Sequence, residues 1–205
     1  LFSLLKRYRF KWLSQASVTL TKDPALMKLA QESGCIGMFV GFESLSQEAL
    51  DRVNKRWGRV DHYADAIKKL HDHGIGIQGS FIFGYDWDTQ KNFDDVLEFA
   101  VRNRLESVLF TILTPFPGTR VHVAMTEGGR ILHSDWSRYD MAHCVYRPKN
   151  FSPEQLEDKF LEANRAFYNL GSIFSRLRLI DRGIPVWAPM NFGFRGAWKR
   201  FDPKA

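Results

Sequence analysis

The sequence predicts an α/β chain of four successive strand–helix units, with a helical addition after them. Three observations carry this. Apolar runs rich in β-forming side chains recur near 11–19, 36–42, 75–83 and 107–113. Stretches with apolar residues at helical spacing separate them. Each of the later runs ends in a polar turn, and in parallel α/β chains the loops at the carboxyl ends of strands build the site. Strands alternating with helices pair in parallel through right-handed crossovers. The pattern fits part of a barrel or an open sheet equally.

Leu1 to Arg9 reads as the end of an amphipathic helix. From Lys11 to Leu20 the side chains alternate: Trp12, Ser14, Ala16 and Val18 on one face, Leu13, Gln15, Ser17 and Thr19 on the other. Asp23-Pro24 is a cap with proline at the first helical position, ahead of Leu26, Met27, Leu29 and Ala30, and Gly34 ends that helix. Ile36 to Phe42 is the second strand, running into Gly41-Phe42-Glu43-Ser44. Ser46 caps a short helix from Gln47 to Val53, and Asn54 to Arg59 is a basic loop. Asp61 is the expected cap of a helix with Tyr63, Ala64, Ile67 and Leu70 inward, stopped by Gly74.

The third strand, Ile75 to Phe83, leads into Gly84-Tyr85-Asp86-Trp87-Asp88-Thr89. Thr89 opens a helix whose inward positions are Phe93, Val96, Leu97, Ala100 and Val101. Ser107 to Leu113 is the fourth strand, ending in the rigid turn Thr114-Pro115-Phe116-Pro117-Gly118-Thr119-Arg120. A short helix from Val121 to Glu127 follows. After Gly129 the pattern breaks into an irregular aromatic stretch. Ser152-Pro153-Glu154-Gln155 is then a capping box, opening a helix with Leu156, Phe160, Ala163, Phe167 and Leu170 inward. Ser172 to Leu179 continues helical. From Gly183 onward, three prolines and two further glycines predict an irregular tail. The expected units are 1–130, 131–180 and a basic tail, 181–205.

With 205 residues, 44% of them hydrophobic, the chain can bury a sizeable core. No apolar run approaches the ~20 residues of a membrane span. The two cysteines, Cys35 and Cys144, lack metal-ligand spacing and read as reduced thiols of a cytoplasmic protein. Basic residues gather at the two ends: Lys6, Arg7, Arg9 and Lys11, then Arg195, Lys199, Arg200 and Lys204. With no nucleic-acid motif beside them, a solvated surface is the simpler reading of the net charge of +6. The chain opens on Leu inside a helical pattern, so an upstream part is expected.

Polar residues at the strand ends would meet if the sheet curves. Gln15 and Ser17 come from the first strand, Glu43 and Ser44 from the second. Gln78, Ser80, Asp86 and Asp88 come from the third, and Thr111 and Thr114 from the fourth. Glu43 suits ribose hydroxyls or an amino group, or else the backbone amides of the following helix. Asp86 and Asp88 fit paired-carboxylate chemistry, or a turn that caps its own helix, which is the simpler account. His62, His71 and His73 lie on or at the end of one helix, away from the strand ends, where solvent exposure explains them. His143 beside Cys144 has the composition of a base and nucleophile, but adjacent residues rarely face each other. There is no phosphate loop, dinucleotide fingerprint or serine elbow.

Four segments, in order, resemble one family. They are Gly37 to Ser44 followed by Leu50 and Asn54-Lys55, Ser80 to Thr89, Leu113 to Thr119, and Trp136 with Tyr139-Asp140, His143, Pro148 and Ser152-Pro153-Glu154. Over about residues 10 to 180 the chain resembles the carboxyl-terminal half of a radical S-adenosylmethionine protein of the group with a cobalamin-binding domain. The resemblance implies a partial (β/α) barrel, TIM-barrel-like, of which this chain holds the last four units, and a helical extension. It implies S-adenosylmethionine as cofactor, its reductive cleavage, and then hydrogen abstraction or methyl transfer on a small-molecule substrate. Gly41, Glu43 and Ser44 would meet the methionyl or ribose part. Ser80, Gly84 and Asp86 would lie near adenine, and Thr114 and Pro117 in the bordering loop, with Gln15 and Ser17 completing the rim. Asp86, Trp87 and Asp88 replace the proline, glycine and glutamate usual in that motif. The family's [4Fe-4S] cluster takes three cysteines after the first strand, and two remote cysteines cannot supply them. The cluster, and cobalamin with its domain, are therefore expected from a missing amino-terminal half. The competing reading is a non-catalytic half-barrel that binds or scaffolds.

Overall fold

A computed structural model describes residues 1–52, 59–177 and 183–202. Asn54, Lys55 and the rest of 53–58, Leu179, and the tail positions Pro203 and Lys204 lie outside the described residues. Four strands form one sheet in chain order: β1 Trp12–Ala16, β2 Cys35–Glu43, β3 Gly76–Phe83 and β4 Ser107–Ile112. Every neighbouring pair is parallel, as the strand–helix alternation predicts.

The helices are α1 Phe2–Leu5, α2 Pro24–Glu32, α3 Gln47–Arg52, α4 Tyr63–Asp72, α5 Gln90–Arg102, α6 Arg120–Glu127, α7 Pro153–Phe167, α8 Leu170–Arg176 and α9 Ile184–Arg200. One sheet face carries Met38, Val40, Phe42, Ile77, Phe81, Phe83, Val108, Phe110 and Ile112. These are buried with Met27 of α2, Ile67 of α4, Phe93 of α5 and Phe160 and Phe167 of α7. Cores of this kind hold by apolar area removed from water. Leu156, Phe160, Ala163 and Phe167 form the inward stripe predicted for α7.

Several expectations are corrected. β1 stops at Ala16, because Ser17 turns the chain: its Oγ accepts from the Thr19 N–H at 3.3 Å, and Val18–Lys22 winds into a 3₁₀ helix. Asp61 does not cap α4. A 3₁₀ turn, Val60–His62, precedes the helix, and Asp61 pairs with Arg59 at 3.0 Å. Ala66 rather than Ala64 is buried on α4. The α7 helix ends at Phe167, and Asn169 caps a separate α8 by accepting from the Ser172 N–H at 2.9 Å.

The tail is the large correction. Its residues form α9 in spite of Pro189, Gly193 and Gly196. Tertiary contacts override the weak propensity. Trp187 and Asn191 are buried, and Asn191 Nδ2 donates to the Glu106 carbonyl at 2.8 Å. Arg176 of α8 is also buried. Its guanidinium donates to the carbonyls of Leu105, Glu106 and Phe167 and to Asn191 Oδ1, at 2.8–3.0 Å. One side chain thus ties α7, α8 and α9 to the start of β4.

The free edge of β4 is closed. The Tyr168 hydroxyl donates to the Val108 carbonyl at 2.7 Å and accepts its N–H at 3.1 Å, and the Ile112 N–H donates to the Met141 carbonyl at 2.7 Å. β1 pairs only with β2, so among the described residues its other edge has no strand beside it.

Candidate functional site

The sheet face away from α2, α4, α5 and α7 is the concave one, and register orders its residues into rows. The lowest row is Leu13, Gly37 and Gly76. The next is Gln15, Phe39, Gln78 and Ser107. Above lie Gly41, Ser80 and Leu109, then Ile82 and Thr111. Phe39, Gln78, Ile82 and Leu109 are half-buried, so this face is a partly open wall of mixed polarity.

Its floor is Trp187. A Cβ on Gly37 would lie 2.3 Å from the Trp187 ring, and one on Gly76 2.6 Å from its Nε1. Two glycines side by side on β2 and β3 therefore make the slot that the indole fills. Sequence reasoning missed this floor. The signal available was paired glycines at two strand starts and a tryptophan in the supposed tail.

Glu43 closes β2 at the rim. Strict alternation would put it on the face of Gly41. The ladder instead slips between them: Gly41 pairs with Ser80, and Glu43 with Phe81. This is a bulge, which re-aims the bulged side chain. Glu43 has φ +62°, a left-handed conformation that costs a side-chain-bearing residue energy and often marks a functional position. Its charge acts on the buried Tyr63 phenol and the half-buried Tyr85 one. Burial first, then the Glu43 charge, pushes the Tyr63 and Tyr85 hydroxyls above their ordinary range. The Tyr63 hydroxyl donates to the Phe42 carbonyl at 3.1 Å.

The loop after β3 is held from inside. Asp88 is buried, and its Oδ2 accepts from the N–H groups of Gly84 at 2.9 Å and Tyr85 at 3.0 Å. It therefore fastens the turn before it. The cap of α5 is a box in which Asn92 Oδ1 accepts from the Thr89 N–H at 2.8 Å. Burial raises the Asp88 carboxyl to about 6, against the opposing pull of those two amides. Asp86 is engaged elsewhere. Arg130 grips it with two hydrogen bonds, 2.7 and 3.0 Å, and Lys149 stands at 2.9 Å. Those partners hold its carboxyl below the usual range against partial burial. Asn150 Nδ2 donates to the carbonyls of Asp86 and Asp88, and the Tyr146 hydroxyl donates to the Gly84 carbonyl. A strap from 130 to 150 thus fixes the loop. Tyr85 and Trp87 stack at 5.0 Å, with the Arg52 guanidinium over Trp87 at 5.3 Å.

The remaining predicted site residues fall into two groups. Gly41, Ser80 and Gly84 lie on or just beyond the strand ends near the rim, and Gly84 has φ +99°. Ser44 is buried, and its hydroxyl accepts from the Ser46 N–H at 3.1 Å. Thr114 donates to the Ile112 carbonyl at 3.0 Å, and Pro117 is exposed in the next turn. Gln15 and Ser17 stand at the open edge, bordering with Asp23, Leu26 and Met38 an open cavity of about 420 Å³. His71 approaches the buried Glu106 at 3.3 Å, and His143 Nδ1 lies 2.9 Å from Asp140.

The thiols are unsuited to ligation as they stand. Cys35 and Cys144 are buried, and burial lifts them to about 11 and about 12. Cluster ligands are thiolates, and two buried thiols on opposite sides of the sequence do not make a three-ligand site.

No protein-family model matches the chain. It is 38% identical over 168 residues to the bacteriochlorophyllide d C-12(1)-methyltransferase of Chlorobaculum tepidum, covering 82% of this chain and 36% of that protein. It is 29% identical over 174 residues to the bacteriochlorophyllide d C-8(2)-methyltransferase of the same organism, covering 84% and 39%. The chain thus spans well under half the length of these relatives. In fold it is similar to the radical S-adenosylmethionine methyltransferase TsrM of Kitasatospora setae, solved with cobalamin and a [4Fe-4S] cluster bound. The TM-score is 0.58 at 14% identity, over 97% of this chain and 48% of that one. The chain is thus similar to part of two methyltransferases, and its fold is that of part of a radical S-adenosylmethionine methyltransferase.

Proposed function

We propose that this chain is the cofactor-facing wall and substrate pocket of a radical S-adenosylmethionine methyltransferase. Its kinship with two methyltransferases over more than four-fifths of its length carries the reading. The concave parallel wall supports it, with a floor at Trp187 and a carboxylate rim at Glu43. The residues present do not fit the cluster, so its three cysteines, and the domain for cobalamin, belong to a segment outside residues 1–205. Electron delivery belongs there too.

For S-adenosylmethionine the residues do fit. Glu43, at the bulged end of β2, would accept from the amino group or ribose hydroxyls. The Asp88-braced loop would flank the adenine. Both relatives are named for bacteriochlorophyllide d, a large ring system. The half-buried Phe39, Ile82 and Leu109 suit a broad, largely apolar substrate of that kind.

The test is anaerobic turnover by the longer protein that carries this chain, with methyl-labelled S-adenosylmethionine and a bacteriochlorin acceptor. Label in the acceptor is the expected result. Failure to bind or cleave S-adenosylmethionine, with the cluster in place, would leave a binding or scaffold half-barrel as the account.

A further inference from the structure

We propose that the face formed by α8 and α9 docks on an anionic lipid surface. It exposes large apolar side chains together. Phe174 is 59% exposed, Phe192 45% and Leu170 44%, and the two phenylalanine rings lie 6.4 Å apart. On α9 the exposed positions Pro185, Pro189, Phe192 and Lys199 recur at steps of four, three and seven, so they share one side of the helix. Neither helix contains an acidic residue. Two of their cations are engaged inside: Arg176 is buried, and Arg195 donates to the Tyr168 carbonyl at 3.2 Å. Lys199 and Arg200 are exposed at the end of the apolar stripe.

Apolar rings beside exposed cations, on two helices that carry no acid, match a headgroup layer: rings enter the acyl boundary and cations meet phosphates. A second copy of the chain fits less well. In a two-fold contact this face would meet itself, and neither α8 nor α9 would offer Lys199 and Arg200 an acidic residue. Among the described residues no helix is long and apolar enough to cross a membrane, so the contact is with a surface. The inference stands apart from the proposed reaction, because it needs neither cofactor nor substrate.

The test is co-sedimentation of the full chain with vesicles of phosphatidylcholine alone or mixed with phosphatidylglycerol. Wild type should bind the mixed vesicles, less so as salt rises. Phe174→Ser with Phe192→Ser should lower binding at least about tenfold. Lys199→Glu with Arg200→Glu should remove the preference for the anionic vesicles. All four positions are exposed, so melting midpoints should hold. No binding to mixed vesicles, equal binding by the variants, or a dimer that the phenylalanine variants dissolve while vesicle binding is absent would overturn the proposal.

Discussion

Asp88 holds the β3–α5 loop with a carboxyl that burial lifts to about 6. Its folded pKa lies above its unfolded value, so its contribution to stability is fully present below about 4 and is lost as pH rises through about 6. The size is up to roughly 3 kcal/mol at 1.36 kcal/mol per unit. Asp88→Asn keeps an acceptor for the Gly84 and Tyr85 amides and removes the titration. Melting curves between pH 4 and 7 should therefore slope less for the variant than for wild type, and equal slopes would remove Asp88 as the titrating group. Glu43 poses a different residue-scale question. Its left-handed backbone costs a non-glycine residue about 1–2 kcal/mol, and glycine adds back unfolded-state entropy. Glu43→Gly should leave stability within about 1 kcal/mol of wild type, read by denaturant midpoint. A far larger loss would make the carboxylate a structural strut. Glu43 was legible as a rim residue from its place after Gly41-Phe42. Its bulge was not, because a one-residue slip in the ladder depends on the partner strand.

Among the elements, α7 was the plainest in the sequence, since a capping box and a stripe of steps four and three both point to it. Phe160 is buried against the sheet and meets Trp198 edge-on at 5.3 Å. Phe160→Ala should cost about 3–5 kcal/mol by transfer and cavity terms together, and an unchanged melting midpoint would argue against that packing. α9 was illegible for a physical reason. Prolines and glycines lower its local propensity, and its helix is held by long-range partners at Gly37, Gly76 and Glu106. Gly76→Ala drives a methyl into the fully buried Trp187 indole. It should cost about 1–3 kcal/mol and shift Trp187 fluorescence to the red, and an unperturbed spectrum would deny the slot. The early end of β1 was missed likewise: Val18 and Leu20 continue an alternating pattern, but the Ser17 turn wins.

At the scale of the whole molecule, the order and parallel direction of the four strands followed from alternation alone, and the motifs added the family. What the pattern could not supply was the closure: α9 under the concave face, and Tyr168 and Met141 along the β4 edge. Such contacts join residues far apart in sequence and leave no periodic trace. The cysteine count does bear on the whole. Residues 1–205 incubated with iron and sulfide without oxygen should develop no cluster absorbance, and a cluster formed on Cys35 or Cys144 would upset the division of labour proposed above. The claim on which the functional account turns is that Glu43 holds S-adenosylmethionine. Calorimetric titration of that cofactor into the cluster-loaded longer protein, wild type against Glu43→Gln, tests it most directly. A charged hydrogen bond of roughly 1.5–3 kcal/mol predicts an affinity lower by about tenfold or more. Equal affinities, whether or not the variant melts earlier, would contradict the account.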